Sequence, residues 1–309
     1  MEVTVIRAGM QTTVQDLGRR GHLAEGVPLG GAADPFALRV ANLLVGNPEG
    51  APALEVTLTG PELEFGEAAW VAVCGARFED IPAWRPVRVE KGARLRFGKR
   101  LLGCRAYVAV CGGFDVEAVM GGRGTFLAAG IGGFEGRALR EGDVLSCVPS
   151  AMQPRGHWSL DERLLPHYAR EPNVRVIPGA QASEFGDALY SGRFGVTTRS
   201  NRMGIRLDGP ALRRAGGGEL LSTAVGPGTI QVPPDGNPIV LMADAQTLGG
   251  YPRVAHVAAV DIPLLAQLAP GDGVRFTRTT LAASHALSHA WEHGLALLRQ
   301  GLAEKFSTA

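Results

Sequence analysis

One pentapeptide occurs twice in this chain. Val71-Ala72-Val73-Cys74-Gly75 and Val108-Ala109-Val110-Cys111-Gly112 are identical, and each follows an Ala and an aromatic residue, Ala69-Trp70 and Ala106-Tyr107. Both copies are apolar throughout rather than alternating, as strands covered on both faces are. Both are too short and too promptly stopped by glycine to read as helices. They predict two buried strands of one sheet or barrel, in which Cys74 and Cys111 serve as small core hydrophobes.

The surrounding sequence repeats this rhythm. Ala53–Thr59, Glu62–Phe65, Val87–Val89 and Arg94–Phe97 read as short strands separated by Gly, Pro and Asp turns. With 43 glycines and 20 prolines in 309 residues, turns are frequent and elements short, so the fold class is mainly β. Val3–Ala8 reads as a first strand. Asp34-Pro35 opens a helix whose apolar face is Phe36, Val40, Leu43 and Leu44, with Gly46 to stop it. Gly60-Pro61-Glu62-Leu63 is echoed by Gly209-Pro210-Ala211-Leu212, and Glu141-Gly142-Asp143-Val144-Leu145 loosely by Pro270-Gly271-Asp272-Gly273-Val274. The echo suggests two related β domains, 1–150 and 174–280, joined by a polar linker over 151–173. Asp261 is placed to cap a short helix ending before Pro270-Gly271, and an amphipathic helix is expected over 281–309.

Several function classes lose support at this level. The 31 basic and 30 acidic residues nearly cancel, so nothing implies a general attraction to nucleic acid or anionic membrane. No signal-peptide pattern opens the chain and no apolar run is long enough to span a bilayer. Cys74, Cys104, Cys111 and Cys147 form no C-x-x-C pair, which fits free thiols in a cytoplasmic protein. His285, His289 and His293 are spaced along one face of the terminal helix, but no further ligand completes a metal site, and they read as a surface stripe.

Three constellations carry polar chemistry. The first lies between Gly9 and Asn47, where Gln15, Asp16, Arg19, Asp34 and Asn42 alternate with glycines. Such turns can hold a carboxylate, an amide and a guanidinium toward a small polar ligand. Turn chemistry, a helix cap at Asp34 and a buried Asp16–Arg19 pair explain the same residues. The second is Gly121-Gly122-Arg123-Gly124-Thr125 followed by Gly130-Ile131-Gly132-Gly133, either a nest of backbone N–H groups completed by Arg123 or a pair of plain turns. The third joins Ser200-Asn201-Arg202-Met203-Gly204, Gln231, and Met242-Ala243-Asp244-Ala245-Gln246-Thr247-Leu248-Gly249-Gly250-Tyr251-Pro252. Gln231, Gln246 and Tyr251 supply paired donors and acceptors suited to an amide or urea-like group, unless they are satisfied within a strand end and turn.

In this order, T-T-V-Q-D-L-G-R-R-G, G-A-A-D-P-F-A, A-N-L-L-V-G-N, S-N-R-M-G and M-A-D-A-Q-T-L-G-G-Y-P resemble the KipA family. This is the allophanate hydrolase subunit 2, or carboxyltransferase-type, family, whose bacterial members include the C-subunit of ATP-dependent 5-oxoprolinase. The resemblance spans about Val3 to Phe276. It implies two cyclophilin-like β-barrel domains, ATP and Mg²⁺ as cofactors, and two protein partners, one KipI-like and one LamB/YcsF-like. With them the chain would open 5-oxoproline to glutamate. On that footing Asp16, Arg123 and Asp244 would be catalytic. Gln15, Arg19, Asp34, Asn42, Thr125, Arg202, Gln231, Gln246 and Tyr251 would bind substrate or nucleotide, and no residue is assigned as a dedicated metal ligand. The same resemblance leaves open biotin-dependent carboxyl transfer to a urea-like amide, and a non-catalytic role binding a KipI-type kinase inhibitor. The sequence departs from the family pattern at Gly122 and Gly124, where relatives carry serine beside the arginine, and at Ala33, where the usual residue is Met.

Overall fold

The computed structural model describes residues 1–150, 152–154, 158–216 and 218–308. Two compact units divide the chain: Met1–Arg20, Gly30–Pro166 and His293–Ala309 form one, and Gly21–Leu29 with His167–Glu292 form the other. Both are built mainly from strands.

In the first unit the strands are β1 (Glu2–Arg7), β2 (Gln11–Gln15), β3 (Ala53–Thr57), β4 (Glu62–Phe65), β5 (Ala69–Phe78), β6 (Pro86–Val89), β7 (Arg94–Arg96), β8 (Arg100–Val110) and β9 (Val144–Ser146), with helix α1 (Pro35–Leu44) between β2 and β3. The first copy of the pentapeptide lies within β5, while Val108–Val110 of the second end β8 and its Cys111-Gly112 form the turn beyond, leaving Cys111 half-buried rather than in the core. β5 and β8 pair antiparallel, Val71 opposite Val110 and Val73 opposite Val108, at the middle of a five-stranded sheet ordered β2-β3-β8-β5-β6. A second sheet, β7-β4-β1-β9, shares its core: Val3, Val5, Leu63 and Phe65 meet Val56, Val71, Val73 and Val108, all 2% exposed or less. Each such side chain contributes about 1.5–3 kcal/mol by leaving water.

Helix α1 packs against β5 and β8. Its start is as the sequence reads: Asp34 Oδ1 accepts from the Ala37 N–H at 2.9 Å, Pro35 occupies the first turn, and Gly46 takes φ +78° just beyond the end. A buried polar chain fixes its entry. The Tyr107 hydroxyl accepts from the Asp34 N–H at 2.8 Å and donates to Glu55 at 2.7 Å, and Glu55 accepts from the Ala33 N–H at 3.0 Å. Burial, with the Glu55 charge adding to it, pushes the Tyr107 phenol well above its ordinary pKa, so it remains a neutral donor.

Part of the segment expected as linker is a strand. β10 (Met152–Pro154) pairs antiparallel with a last strand at Phe306–Thr308. The Phe306 ring lies against Gly46 and meets Trp158 edge-on at 6.5 Å.

The second unit contains a closed barrel. Its elements in chain order are β11 (Asn173–Pro178), α2 (Ala188–Ser191), β12 (Phe194–Val196), β13 (Gly204–Asp208), β14 (Thr223–Ala224), β15 (Thr229–Gln231), β16 (Ile239–Leu241), β17 (Leu248–Gly249), β18 (Arg253–Val257), α3 (Ile262–Ala266) and β19 (Gly273–Arg278). The barrel runs β11-β18-β15-β16-β13-β12-β19 and closes through parallel pairing of β11 with β19, while β14 and β17 form a small separate ribbon. Val174, Val176, Phe194, Ile230, Val240 and Val274 are fully buried in it. Asp261 precedes α3 but makes no side-chain cap. Its carboxylate accepts instead from the Arg175 backbone N–H at 2.7 Å and guanidinium Nε at 2.9 Å, because an arginine provides the stronger charge-assisted bonds.

The terminal helix is α4 (Leu281–Leu302), followed by β20 (Phe306–Thr308), and His285, His289 and His293 are exposed along it. Among the described residues no helix is long and apolar enough to cross a membrane. All four cysteines are free thiols. Burial pushes the Cys74 thiol well up and Cys147 up to about 12, which suits inert core positions.

Candidate functional site

The predicted site residues separate into two groups, one in each unit. In the first unit they stitch a glycine-rich loop to the end of β2. Asp16 is 7% exposed, and its carboxylate accepts from the Gly18 N–H at 2.8 Å and the Arg123 N–H at 2.6 Å. Arg19 is completely buried; its guanidinium donates to the Val119 carbonyl at 3.1 Å and to the Gly124 carbonyl. Gln15 Nε2 donates to Thr13 Oγ1 and the Thr125 carbonyl, both at 3.1 Å, and the Thr125 hydroxyl donates to the Val14 carbonyl at 3.0 Å. Asp16 and Arg19 thus engage backbone, not each other. Only Arg123 among these side chains is exposed, with Nε on the Val116 carbonyl at 3.1 Å.

This packing leaves little room for a side chain at Gly122 or Gly124. A Cβ at Gly122 would lie 2.5 Å from Arg19 Cγ, and one at Gly124 would lie 2.7 Å from Gln15 Oε1. At Gly132, where φ is +69°, a Cβ would come within 2.0 Å of Arg19 Nη2 and 2.3 Å of the Gly124 carbonyl. The glycines are the space that lets a whole guanidinium sit inside the loop. Gly132→Ala combines a left-handed backbone with that clash, so a loss of about 2 kcal/mol or more is expected in urea unfolding. Unchanged stability would show that Arg19 is not held this way.

Asp34 and Asn42 serve the scaffold. Asp34 caps α1, and Asn42 Nδ2 donates to the Glu49 and Ala51 carbonyls at 3.2 and 2.8 Å while its Oδ1 accepts from Asn47 at 3.0 Å.

In the second unit Arg202 and Asp244 pair with each other. Arg202 Nε and Nη2 meet the two Asp244 oxygens at 2.7 and 2.9 Å, with the side chains 6% and 5% exposed. Backbone bonds from Met242 to Met203 and from Asp244 to Arg202 bring the two motifs together. The pair pins the turn that carries Gln246, Gly249, Gly250 and Tyr251.

Gln231, Gln246 and Tyr251 gather at one place. All three line a cavity of about 770 Å³, together with Arg213, Arg214 and Glu219, and also an adjoining one of about 530 Å³ that reaches Arg199, Asn201, Arg206 and Asn237. Gln231 ends β15 and is 1% exposed. Its Oε1 accepts from Gln246 Nε2 at 3.4 Å, but its own Nε2 has no hydrogen-bond partner among the described residues. A Cβ on Gly249 would lie 2.5 Å from that nitrogen, so the glycine keeps room beside it. A buried N–H₂ without an acceptor costs the fold about 1–3 kcal/mol. Tyr251 is 47% exposed and presents its ring at the mouth.

Arg206 and Asp235 were not among the residues singled out from sequence. Strand alternation marks Arg206 as outward-facing in β13, but only the fold brings it beside the 233–237 turn. The Asn237 backbone N–H lowers the Asp235 pKa, the Asn237 side chain adds to this, and so do the Arg199 and Arg206 charges.

The carboxyltransferase domain, subdomain A and B, matches residues 25–278. The 5-oxoprolinase C-subunit of Escherichia coli K12 is 43% identical over 287 residues, covering 90% of this chain and 91% of that protein. The Haemophilus influenzae protein of the same name is 35% identical over 98% of this chain and 99% of its own length. The crystal structure of Kluyveromyces lactis urea amidolyase superposes with a TM-score of 0.89 at 30% identity, covering 96% of this chain but only 20% of that one.

Proposed function

Because the chain belongs to the carboxyltransferase-domain family, we propose that it is the C-subunit of an ATP-dependent 5-oxoprolinase and opens 5-oxoproline to glutamate together with other subunits. Two full-length relatives of that name support the reading. The observation that carries it is the buried Gln231 amide beside a cavity, with an unused N–H₂ ready for a carbonyl oxygen. In this reading Gln231 Nε2 donates to the lactam oxygen, while Gln246 and Tyr251 orient the ring. The Arg202–Asp244 pair holds the turn that presents them.

A lactam carbonyl is a poor electrophile. ATP, when bound, would supply a phosphoryl group to the lactam oxygen that makes the ring carbon open to water, the ring C–N bond then breaking with the nitrogen leaving as the amine of glutamate and phosphate being released. The carboxylates of this chain best suited by type to Mg²⁺ are committed elsewhere, Asp16 to two backbone N–H groups and Asp244 to Arg202. Among the described residues no group of three or more His, Cys, Asp or Glu side chains is placed to hold a metal. This donor set does not fit Mg²⁺. We therefore assign nucleotide and metal to the KipI-like partner in this reading, with the LamB/YcsF-like partner completing the hydrolysis.

The urea amidolyase superposition favours a second reading, carboxyl transfer to a urea-like amide. Reconstitution separates the two. The three purified proteins should convert 5-oxoproline to glutamate with ATP, and omission of this chain should abolish it. Absence of glutamate, with carboxyl transfer from a biotinylated carrier to urea, would replace the first reading by the second.

A further inference from the structure

The groove beside Gln231 holds two arginines that act on the Asp235 carboxylate through charge, without a direct ion pair. Arg199 and Arg206 line the cavity of about 530 Å³ that shares Gln231, Gln246 and Tyr251 with its neighbour. Both are exposed, and among the described residues neither guanidinium has an ion-pair or hydrogen-bond partner. Asp235 is the one carboxylate among the described residues lining this cavity, and its oxygens accept from Asn237 N at 3.0 Å and Nδ2 at 3.3 Å. Two positive charges and one negative leave a net positive groove wall. A guanidinium fork in a concave site is suited to a carboxylate or phosphate oxygen pair. At the inner end stands the unpartnered Gln231 Nε2, a donor for a neutral oxygen.

Resting on the amide-binding reading above, we propose that Arg199 and Arg206 are specificity-determining residues that select an amide carrying a carboxylate. The carbonyl oxygen meets Gln231, and the carboxylate meets the arginines. A neutral urea or lactam fills only the inner half of such a site. The exposed arginines support no core packing, so their removal leaves the barrel intact.

Equilibrium binding to the full chain, read by ligand-observed NMR, tests this with 5-oxoproline, the neutral lactam 2-pyrrolidinone, and inorganic phosphate as probes. 5-Oxoproline should bind at least about tenfold more tightly than 2-pyrrolidinone. Arg206→Ala and Arg199→Ala should each weaken the acid about tenfold or more, and Arg206→Glu further, without changing the neutral lactam. Gln231→Leu should weaken both lactams. Equal binding of the two lactams, unaffected by the arginine variants but lost in Gln231→Leu, would overturn the arginine assignment and leave the amide reading standing. Phosphate should compete with 5-oxoproline through the arginines, and competition that persists unchanged in Arg199→Ala and Arg206→Ala would overturn the carboxylate assignment. No binding of either lactam would overturn both.

Discussion

Arg202→Ala should cost about 3–5 kcal/mol of folding stability, a large effect for a single substitution in this chain. The physical reason is the Asp244 carboxylate. It is 5% exposed and receives two charge-assisted bonds, so removal of the guanidinium leaves a desolvated charge. The ion pair itself need not be worth that much, since both ions lost hydration when it formed. Arg202→Met with Asp244→Leu should therefore recover most of the loss. Urea unfolding of the wild type, the single variant and the double variant reads the cycle. A single variant within about 1 kcal/mol of wild type would mean that the pair is solvated and that the turn carrying Gln246 and Tyr251 is held by something else.

This pair also shows where sequence reading stops. Arg202 and Asp244 are each legible as polar residues in a motif, and each invites a ligand-facing role. That they spend their charges on one another depends on β13 lying beside β16, a pairing between segments some forty residues apart that periodicity does not encode. The same holds for Asp16 and Arg19, whose spacing suggests a mutual pair, whereas both are drawn into the backbone of a loop about a hundred residues on. Local signals fared better. The repeated pentapeptide marks two adjacent strands, and Asp34-Pro35 and Gly46 bracket α1 because capping is decided within one turn. The Asp261 cap failed because Arg175, on a distant strand, competes for the same carboxylate. Gln231, Gln246 and Tyr251 were readable as a trio, but not the missing acceptor at Nε2, which is a property of packing.

Gln231→Leu should separate stability from activity. In the free protein the Nε2 group is buried without an acceptor, so replacing the amide with an apolar group of similar size removes an uncompensated desolvation cost. Stability should hold or rise by up to about 1 kcal/mol. Substrate then enters a site with no donor for its carbonyl oxygen, and kcat/KM for 5-oxoproline in the reconstituted complex should fall about tenfold to hundredfold. A purely structural glutamine would behave oppositely, with stability lost and kinetics preserved in the folded fraction. Denaturant unfolding and steady-state ADP release on the same preparation distinguish these outcomes.

The most direct measurement is a crystal structure of the reconstituted complex with 5-oxoproline bound. The predicted result is the lactam oxygen about 2.9 Å from Gln231 Nε2, with Gln246 and Tyr251 against the ring. Lactam density at the Gly122–Gly133 loop or on a partner protein, with the Gln231 cavity lacking it, would contradict the assignment of this cavity as the substrate site.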